Sequence, residues 1–119
     1  MPRPKIRKRV FQQPVHSFYK PQGVPLHALK GATLSVEGLE ALRLADAEGL
    51  TQEGAAELMG ISRPTFTRLL AEARHTVAKA LSNGWAIPIE GGNYRITNKP
   101  TPTHGMGRRR RGRGGPGSR

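Results

Sequence analysis

GISRPTFTRLLAEAR, residues 60–74, has the pattern of a helix that begins after a serine and carries a proline in its first turn. Ser62 can cap such a helix, and Pro64 is tolerated because the amides of a first turn have no intrahelical acceptor. An apolar stripe at helical spacing follows, made of Phe66, Leu69, Leu70, Ala73, Val77, Ala80 and Leu81. We therefore predict a helix from about Arg63 to about Leu81.

A shorter helical segment, TQEGAAELMG (residues 51–60), precedes this helix, with Thr51 as its cap and Gly60 as its end. Two helices separated by a turn of about three residues have the pattern of a helix-turn-helix. Such a motif needs a small residue where the helices cross, here Ala56, and a turn residue that tolerates left-handed backbone, here Gly60. The apolar residues available to hold the two helices together are Ala55, Met59, Ile61, Phe66 and Leu69. The joint match over residues 52–71 favours this motif over an unrelated helical hairpin.

The remaining segments surround this motif. A first helix is predicted over SVEGLEALRLADAEG, residues 35–49, with Ser35 as its cap. WAIPIEGGNYRI, residues 85–96, has two short apolar runs around a Gly-Gly pair, which indicates a β-hairpin. We expect a mainly α fold in four parts: an extended basic arm at 1–34, a three-helix helix-turn-helix domain at 35–84, a hairpin at 85–97 and a disordered Arg/Gly-rich tail at 98–119.

The positive charge is concentrated at the two ends of the chain. The 119 residues carry a formal net charge of +12, from 20 Lys and Arg against eight acids. Residues 1–10 hold five of these cations and residues 108–119 hold six arginines, with no acid in either segment. The centre of the chain is therefore nearly neutral. Cationic arms are suited to binding polyanions, of which nucleic acid is the first candidate and an anionic membrane surface the second. The alternative that the C-terminal arm only improves solubility is left open.

The outward face of the helix that begins near residue 63 is predicted to bind DNA. Since Phe66 and Leu69 face inward, the first two turns expose Arg63, Pro64, Thr65, Thr67 and Arg68. Arginine can form paired hydrogen bonds with guanine or phosphate, and threonine can donate to phosphate or touch a thymine methyl. The predicted DNA contacts also include Ser62 and Thr51 at helix N-termini, and Arg3, Lys5, Arg7, Lys8 and Arg9 in the arm. The simpler alternatives to DNA contact are that Ser62 only caps the helix and that Arg63 and Arg68 are only solvated.

Composition argues against several other classes of protein. The chain has no cysteine, so disulfides and thiolate metal sites are excluded, and no apolar run approaches the length of a membrane span. The histidines at positions 16, 27, 75 and 104 are scattered, and neither a nucleophile–base set nor a phosphate-binding glycine loop is visible. We therefore expect a cytoplasmic protein that is not an enzyme, with no catalytic residue, cofactor, metal or membrane partner.

Four stretches, in this order over about residues 1–93, closely resemble uncharacterised protein family 0251: MPRPKIRKRV, FYKPQGVPL, EALRLADAEGLTQEGAAELMGISRPTFTRLLAEARHTVAKAL and IEGG. This family comprises small prokaryotic predicted DNA-binding proteins whose helix-turn-helix is similar to region four of bacterial sigma factors. The resemblance implies a compact helical reader of duplex DNA. The chain departs from the family by lacking the cysteines common near the N-terminus, and by having Gly54 where a capping-box glutamate is common.

Three functions stay open at this point. We expect sequence-specific binding of double-stranded DNA by a transcriptional regulator. The alternatives are an RNA- or ribosome-binding protein that uses its cationic arms, including RNA binding by the Arg-rich tail, and a protein-interaction module of the transcription machinery. Whether the chain forms a homodimer is also left open by the sequence.

Overall fold

A computed structural model describes residues 7–97, so the predictions for Arg3, Lys5 and the tail at 98–119 lie outside the described residues. Three α-helices and two pairs of short strands form the fold, which confirms its mainly α character. The elements in chain order are β1 (Lys8–Val10), β2 (Phe18–Tyr19), α1 (Val36–Leu42), α2 (Gln52–Met59), α3 (Arg63–Asn83), β3 (Ile87–Pro88) and β4 (Tyr94–Ile96). A 3-10 turn spans Leu26–Ala28, and a π-helical segment, Arg43–Ala47, extends α1.

Each α-helix begins at the cap that the sequence predicted. The side chains of Ser35, Thr51 and Ser62 accept hydrogen bonds from the backbone N–H three residues later, at 3.0, 3.0 and 3.3 Å. α2 ends at Gly60 with φ 74°, and α3 ends at Gly84 with φ 69°. Both angles lie in the left-handed region, where glycine avoids the clash of a Cβ.

The first hydrophobic cluster holds the three helices together. Phe66 and Met59 are fully buried, and Phe66 is the largest of the fully buried side chains. The other buried members are Ala41, Leu44, Ala55, Ala56, Leu69 and Leu70. Ala56, the small residue predicted where the helices approach, is buried in this cluster, and so is Ala55, which was predicted to help hold the two helices together.

A second cluster joins the N-terminal strand to α1, α3 and the C-terminal segment. Its buried members are Val10, Leu34, Val36, Ala73, Ala80, Ile87 and Ile89. Trp85 and Val77 pack against its edge. Leu81 is 73% exposed, so its assignment to the apolar stripe of α3 was wrong. One residue rotates a helix by about 100°, which moves Leu81 off the buried line that ends at Ala80.

The C-terminal strands pair with the N-terminal segment and not with each other. β1 runs parallel to β4, with Val10 opposite Ile96, and β2 runs antiparallel to β3, with Tyr19 opposite Ile87. The predicted hairpin over residues 85–97 is therefore wrong, and the segment 1–34 contributes strands to the folded domain from residue 8 onward.

The loop between β3 and β4 explains why no hairpin forms. The carbonyl of Gly91 accepts a hydrogen bond from the N–H of Val36 at 3.1 Å, and the N–H of Asn93 donates to Glu37 at 2.6 Å. Gly92, with φ 110°, leaves room for the Glu37 carboxylate, which would lie 3.2 Å from a Cβ added there. The loop is thus fixed on the first turn of α1, so the strands that flank it diverge.

A buried carboxylate that the sequence did not reveal lies on α1. Glu40 is 2% exposed, and it accepts hydrogen bonds from the N–H of Phe11 and from two guanidinium nitrogens of Arg43, all at 2.9 Å. Burial of Arg43 works against its charge, but the hydrogen bonds and attraction of Glu40 outweigh it and raise the pKa of the guanidinium. The hydrogen bond from Phe11 to Glu40 connects the segment after β1 to α1. Within residues 7–97, no helix is long and apolar enough to cross a membrane.

Candidate nucleic-acid interface

The first two turns of α3 present an exposed polar surface, which we call the α3 surface. It comprises Ser62, Arg63, Pro64, Thr65, Thr67 and Arg68. All of these residues are exposed except Thr65, which is half-buried. Phe66 and Leu69, on the opposite side of the same turns, are buried in the first cluster. The structure therefore brings the predicted α3 residues together on one face that points away from the core.

Two arginines of the α3 surface are free to bind an external anion. Within residues 7–97, Arg63 and Arg68 have neither an ion-pair partner nor a hydrogen-bond acceptor. The first turn of α3 also contains no acid. A phosphate or a guanine could therefore approach both guanidinium groups without displacing a carboxylate.

The other arginines of the helices are paired within the fold. Arg74, farther along α3, donates to both carboxylate oxygens of Asp46 at 2.7 and 3.1 Å. These hydrogen bonds hold the pKa of Asp46 below its ordinary value. Arg43 is paired with Glu40 in the same two-point manner. The unpaired arginines of the helices are thus concentrated at the start of α3.

The N-terminus of α2 lies beside the α3 surface. The hydroxyl of Thr67 donates to the side-chain oxygen of Gln52 at 2.5 Å, so the first residue of α2 touches the second turn of α3. Thr51, the exposed cap of α2, is next to this contact. Gln52 was not predicted as a site residue, because no spacing rule identifies which residue of one helix lies opposite Thr67.

Ser62 has a clear structural role at the start of α3. Its hydroxyl accepts from the N–H of Thr65 at 3.3 Å and donates to the hydroxyl of Thr65 at 2.9 Å. The capping interpretation of Ser62 is therefore confirmed. A phosphate contact by the same exposed residue stays a prediction.

The basic residues of β1 have partners inside the fold. Lys8 lies 3.4 Å from the carboxylate of Glu37, and both side chains are largely buried. Arg9 donates to the carbonyls of Leu58 and Glu57 at 2.9 and 3.0 Å. Arg7, by contrast, is exposed. Lys8 and Arg9 thus make contacts that stabilise the fold. Their predicted DNA contacts would have to compete with these interactions.

Arg9 lies against the glycine that ends α2. A Cβ added to Gly60 would lie 3.3 Å from the central carbon of the Arg9 guanidinium. A Cβ added to Gly84, at the end of α3, would have nothing within 4 Å. The two glycines share a left-handed conformation and a position after a helix, so they differ mainly in this contact.

We expect Gly60→Ala to lower the free energy of unfolding by about 1 kcal/mol more than Gly84→Ala. Both variants place alanine in left-handed backbone, at a cost of roughly 1–2 kcal/mol. Only Gly60→Ala also pushes on a guanidinium held by charge-assisted hydrogen bonds, each worth about 1.5–3 kcal/mol. Urea unfolding measures both losses. Equal losses would show that the Arg9 contact does not constrain Gly60.

No arrangement of side chains in residues 7–97 suggests a metal centre, since no group of three or more His, Asp and Glu comes together there. A surface groove of about 480 Å³ lies between α1 and the segment after β1, lined in part by Leu39, Leu42 and Arg43. The guanidinium in this groove is already bound by Glu40 and Glu48. The α3 surface therefore remains the better candidate for a charged ligand.

Comparison with known proteins places the chain among close relatives. Residues 1–97 match the family model described as protein of unknown function DUF134. A UPF0251 protein of Rhodospirillum rubrum is 61% identical over 92 residues, which cover 77% of this chain and 64% of that protein. A UPF0251 protein of Caldanaerobacter subterraneus is 47% identical, over 94% of this chain and 95% of its own length. A UPF0251 protein of Thermoanaerobacter pseudethanolicus is 49% identical, over 97% of this chain and 98% of its own length. The match thus spans less than two thirds of the Rhodospirillum protein. No solved structure matches the chain significantly.

Proposed function

We propose that this chain, which belongs to the protein family UPF0251 (DUF134), binds double-stranded DNA through a helix-turn-helix formed by α2 and α3. Its role would be that of a transcriptional regulator in the cytoplasm. The observation that carries the proposal is the pair of exposed, unpaired arginines, Arg63 and Arg68, on a surface without acids in its first turn.

The geometry of the helix pair supports this motif. Residues 60–62 separate the helices, and the N–H of Ile61 donates to the carbonyl of Ala56 at 3.0 Å, which closes the end of α2. Phe66 is buried between the helices and leaves the polar side of α3 exposed. An α-helix fits the major groove of B-form DNA, where arginine distinguishes guanine by two acceptors on its edge.

Each helix would have a different task on DNA. Arg68 and Thr67, on the second turn of α3, would contact base edges or phosphates. Thr51 lies at the N-terminus of α2, where backbone amides and the helix dipole favour a phosphate group. The Thr67–Gln52 hydrogen bond holds these two regions side by side, so a single duplex could contact both.

The RNA-binding alternative has less support from the described residues. The major groove of an RNA duplex is deep and narrow, and side chains on a helix do not read it readily. RNA binding would depend mainly on the Arg-rich tail, which lies outside the described residues. We therefore favour duplex DNA and treat RNA as an outcome of the test.

Substitution of the free arginines tests the proposal. We expect Arg68→Ala to weaken binding to a duplex selected from random sequences by about 1–3 kcal/mol, with relaxed preference at one base pair, if Arg68 contacts a base. If Arg68 contacts phosphate, the loss should be similar on every duplex. The matched control is Lys79→Ala, which removes one exposed charge from the same helix outside the α3 surface. Fluorescence titration at several salt concentrations gives the affinities.

Two results would contradict the proposal. Selective binding that survives the double substitution of Arg63 and Arg68 would show that another part of the chain reads the sequence. Preference for structured RNA over the selected duplex at equal salt would favour the RNA-binding alternative.

A further inference from the structure

Strand β1 reaches the turn between α2 and α3 through one side chain. Arg9 is half-buried, with its Nε 2.9 Å from the carbonyl oxygen of Leu58 and its Nη2 3.0 Å from that of Glu57. Both carbonyls belong to the last turn of α2, where the helix leaves acceptors without a regular intrahelical donor. A cation at the C-terminus of a helix also has a favourable interaction with its dipole.

The same contact includes the turn itself. The N–H of Gly60 donates to the Glu57 carbonyl at 3.1 Å, so this oxygen accepts from both the turn and Arg9. The guanidinium lies over Gly60 at a distance that leaves little room for a Cβ. Arg9 therefore contacts the residues that determine the direction in which the chain leaves α2.

Strand β1 is itself fixed to the rest of the domain. Val10 is fully buried in the second cluster, and Lys8 pairs with Glu37 of α1. β1 is also hydrogen-bonded to β4. Arg9 thus links the end of α2 to a strand that is held on α1 and β4. The position of Arg9 is therefore set by its side-chain contacts with α2 and by the contacts of β1 with α1 and β4.

We infer that Arg9 is a positioning residue: it holds the α2–α3 turn, and hence the α3 surface, in a defined orientation without itself contacting DNA. The part of this inference that concerns DNA recognition rests on the proposed function, whereas the part that concerns the turn does not. A planar guanidinium can donate to two neighbouring carbonyls at once, whereas the ammonium group of lysine lacks this forked geometry. Arg9→Lys should therefore disturb the turn while retaining the charge.

The first test needs no DNA and uses the full chain. Loss of one charge-assisted hydrogen bond corresponds to roughly a tenfold change in an opening equilibrium. We expect Arg9→Lys to accelerate amide hydrogen exchange at Gly60 and Ile61 on the order of tenfold. Arg7→Lys, two residues earlier at an exposed position, is the matched control and should exchange like the parent.

The second test compares a selected duplex with a shuffled one. We expect Arg9→Lys to weaken binding to the selected duplex by roughly tenfold, in line with the exchange result, and to leave the shuffled duplex within about twofold. Gly60→Ala approaches the same contact from the backbone side and should also reduce discrimination, whereas Gly84→Ala should not. This pair keeps the test valid if Arg9→Lys fails to fold.

The outcomes separate the inference from the proposed function. Parental exchange rates at Gly60 and Ile61 in Arg9→Lys would overturn the positioning role. Equal weakening on both duplexes with parental exchange would identify Arg9 as a phosphate contact, which also overturns it. If the parent chain does not discriminate between duplexes, the proposed function fails, and hydrogen exchange alone then decides whether Arg9 holds the turn.

Discussion

Phe66→Ala should lower the free energy of unfolding by about 3–5 kcal/mol, because truncation of a fully buried phenylalanine loses its transfer free energy and leaves a cavity. Phe66 lies in the cluster that joins all three helices, so no single element can move to fill the space. Since domains of this size are stable by about 5–15 kcal/mol, the variant could be largely unfolded at 37 °C. Circular dichroism during urea unfolding measures the loss.

The matched control for Phe66 is Leu81→Ala on the same helix. Leu81 is 73% exposed, so its truncation should change the free energy of unfolding by less than about 0.5 kcal/mol. A Phe66→Ala protein that unfolds at the same urea concentration as Leu81→Ala would show that the buried face of α3 is assigned incorrectly.

Glu40→Gln should cost about 3 kcal/mol of stability. Loss of one partner of a buried ion pair typically costs about 3–5 kcal/mol, because the other charge is left unpaired. We expect the lower end of that range, since the Arg43 side chain is 23% exposed and retains Glu48 at 3.4 Å. A glutamine side chain has nearly the same shape, so the loss reports the charge and its hydrogen bonds with little change in packing.

Glu48→Gln provides the matched control for the ion pair. It removes the other carboxylate that contacts Arg43, but Glu48 is 56% exposed and its contact is longer. Exposed ion pairs contribute about 0–1 kcal/mol, so we expect a small loss. Similar melting temperatures for the two variants would mean that the Glu40 pair contributes no more than a surface interaction.

The helices of this protein could be predicted from local sequence. Ser35, Thr51 and Ser62 cap their helices as predicted, because a cap acts on an amide only three residues away. The spacing of apolar residues likewise identified the buried face of α3 at Phe66 and Leu69. The α3 surface follows from that phase, since side chains opposite a buried face must point outward.

The pairing of the strands could not be predicted in this way. The Gly-Gly pair at 91 and 92 is typical of a hairpin, yet both strands that flank it pair with residues about 70 to 90 positions earlier. The strands contain only two or three residues each, so their own sequence hardly specifies a partner. The contacts of the loop with Val36 and Glu37 determine the result.

The sequence by itself determined the helices, their caps and the exposed start of α3, because these depend on neighbours within one or two helical turns. Only the tertiary structure decided which charged side chains remain free. Arg9 and Arg68 have the same side chain, but Arg9 lies across the end of α2 while Arg68 has no partner in residues 7–97. Glu40 is buried where it accepts a hydrogen bond from the amide of Phe11, 29 residues earlier in the chain, in addition to those from Arg43 of the next helical turn. The contacts of Arg9 with α2 and of Phe11 with Glu40 are made by packing between distant segments, so local spacing does not reveal them.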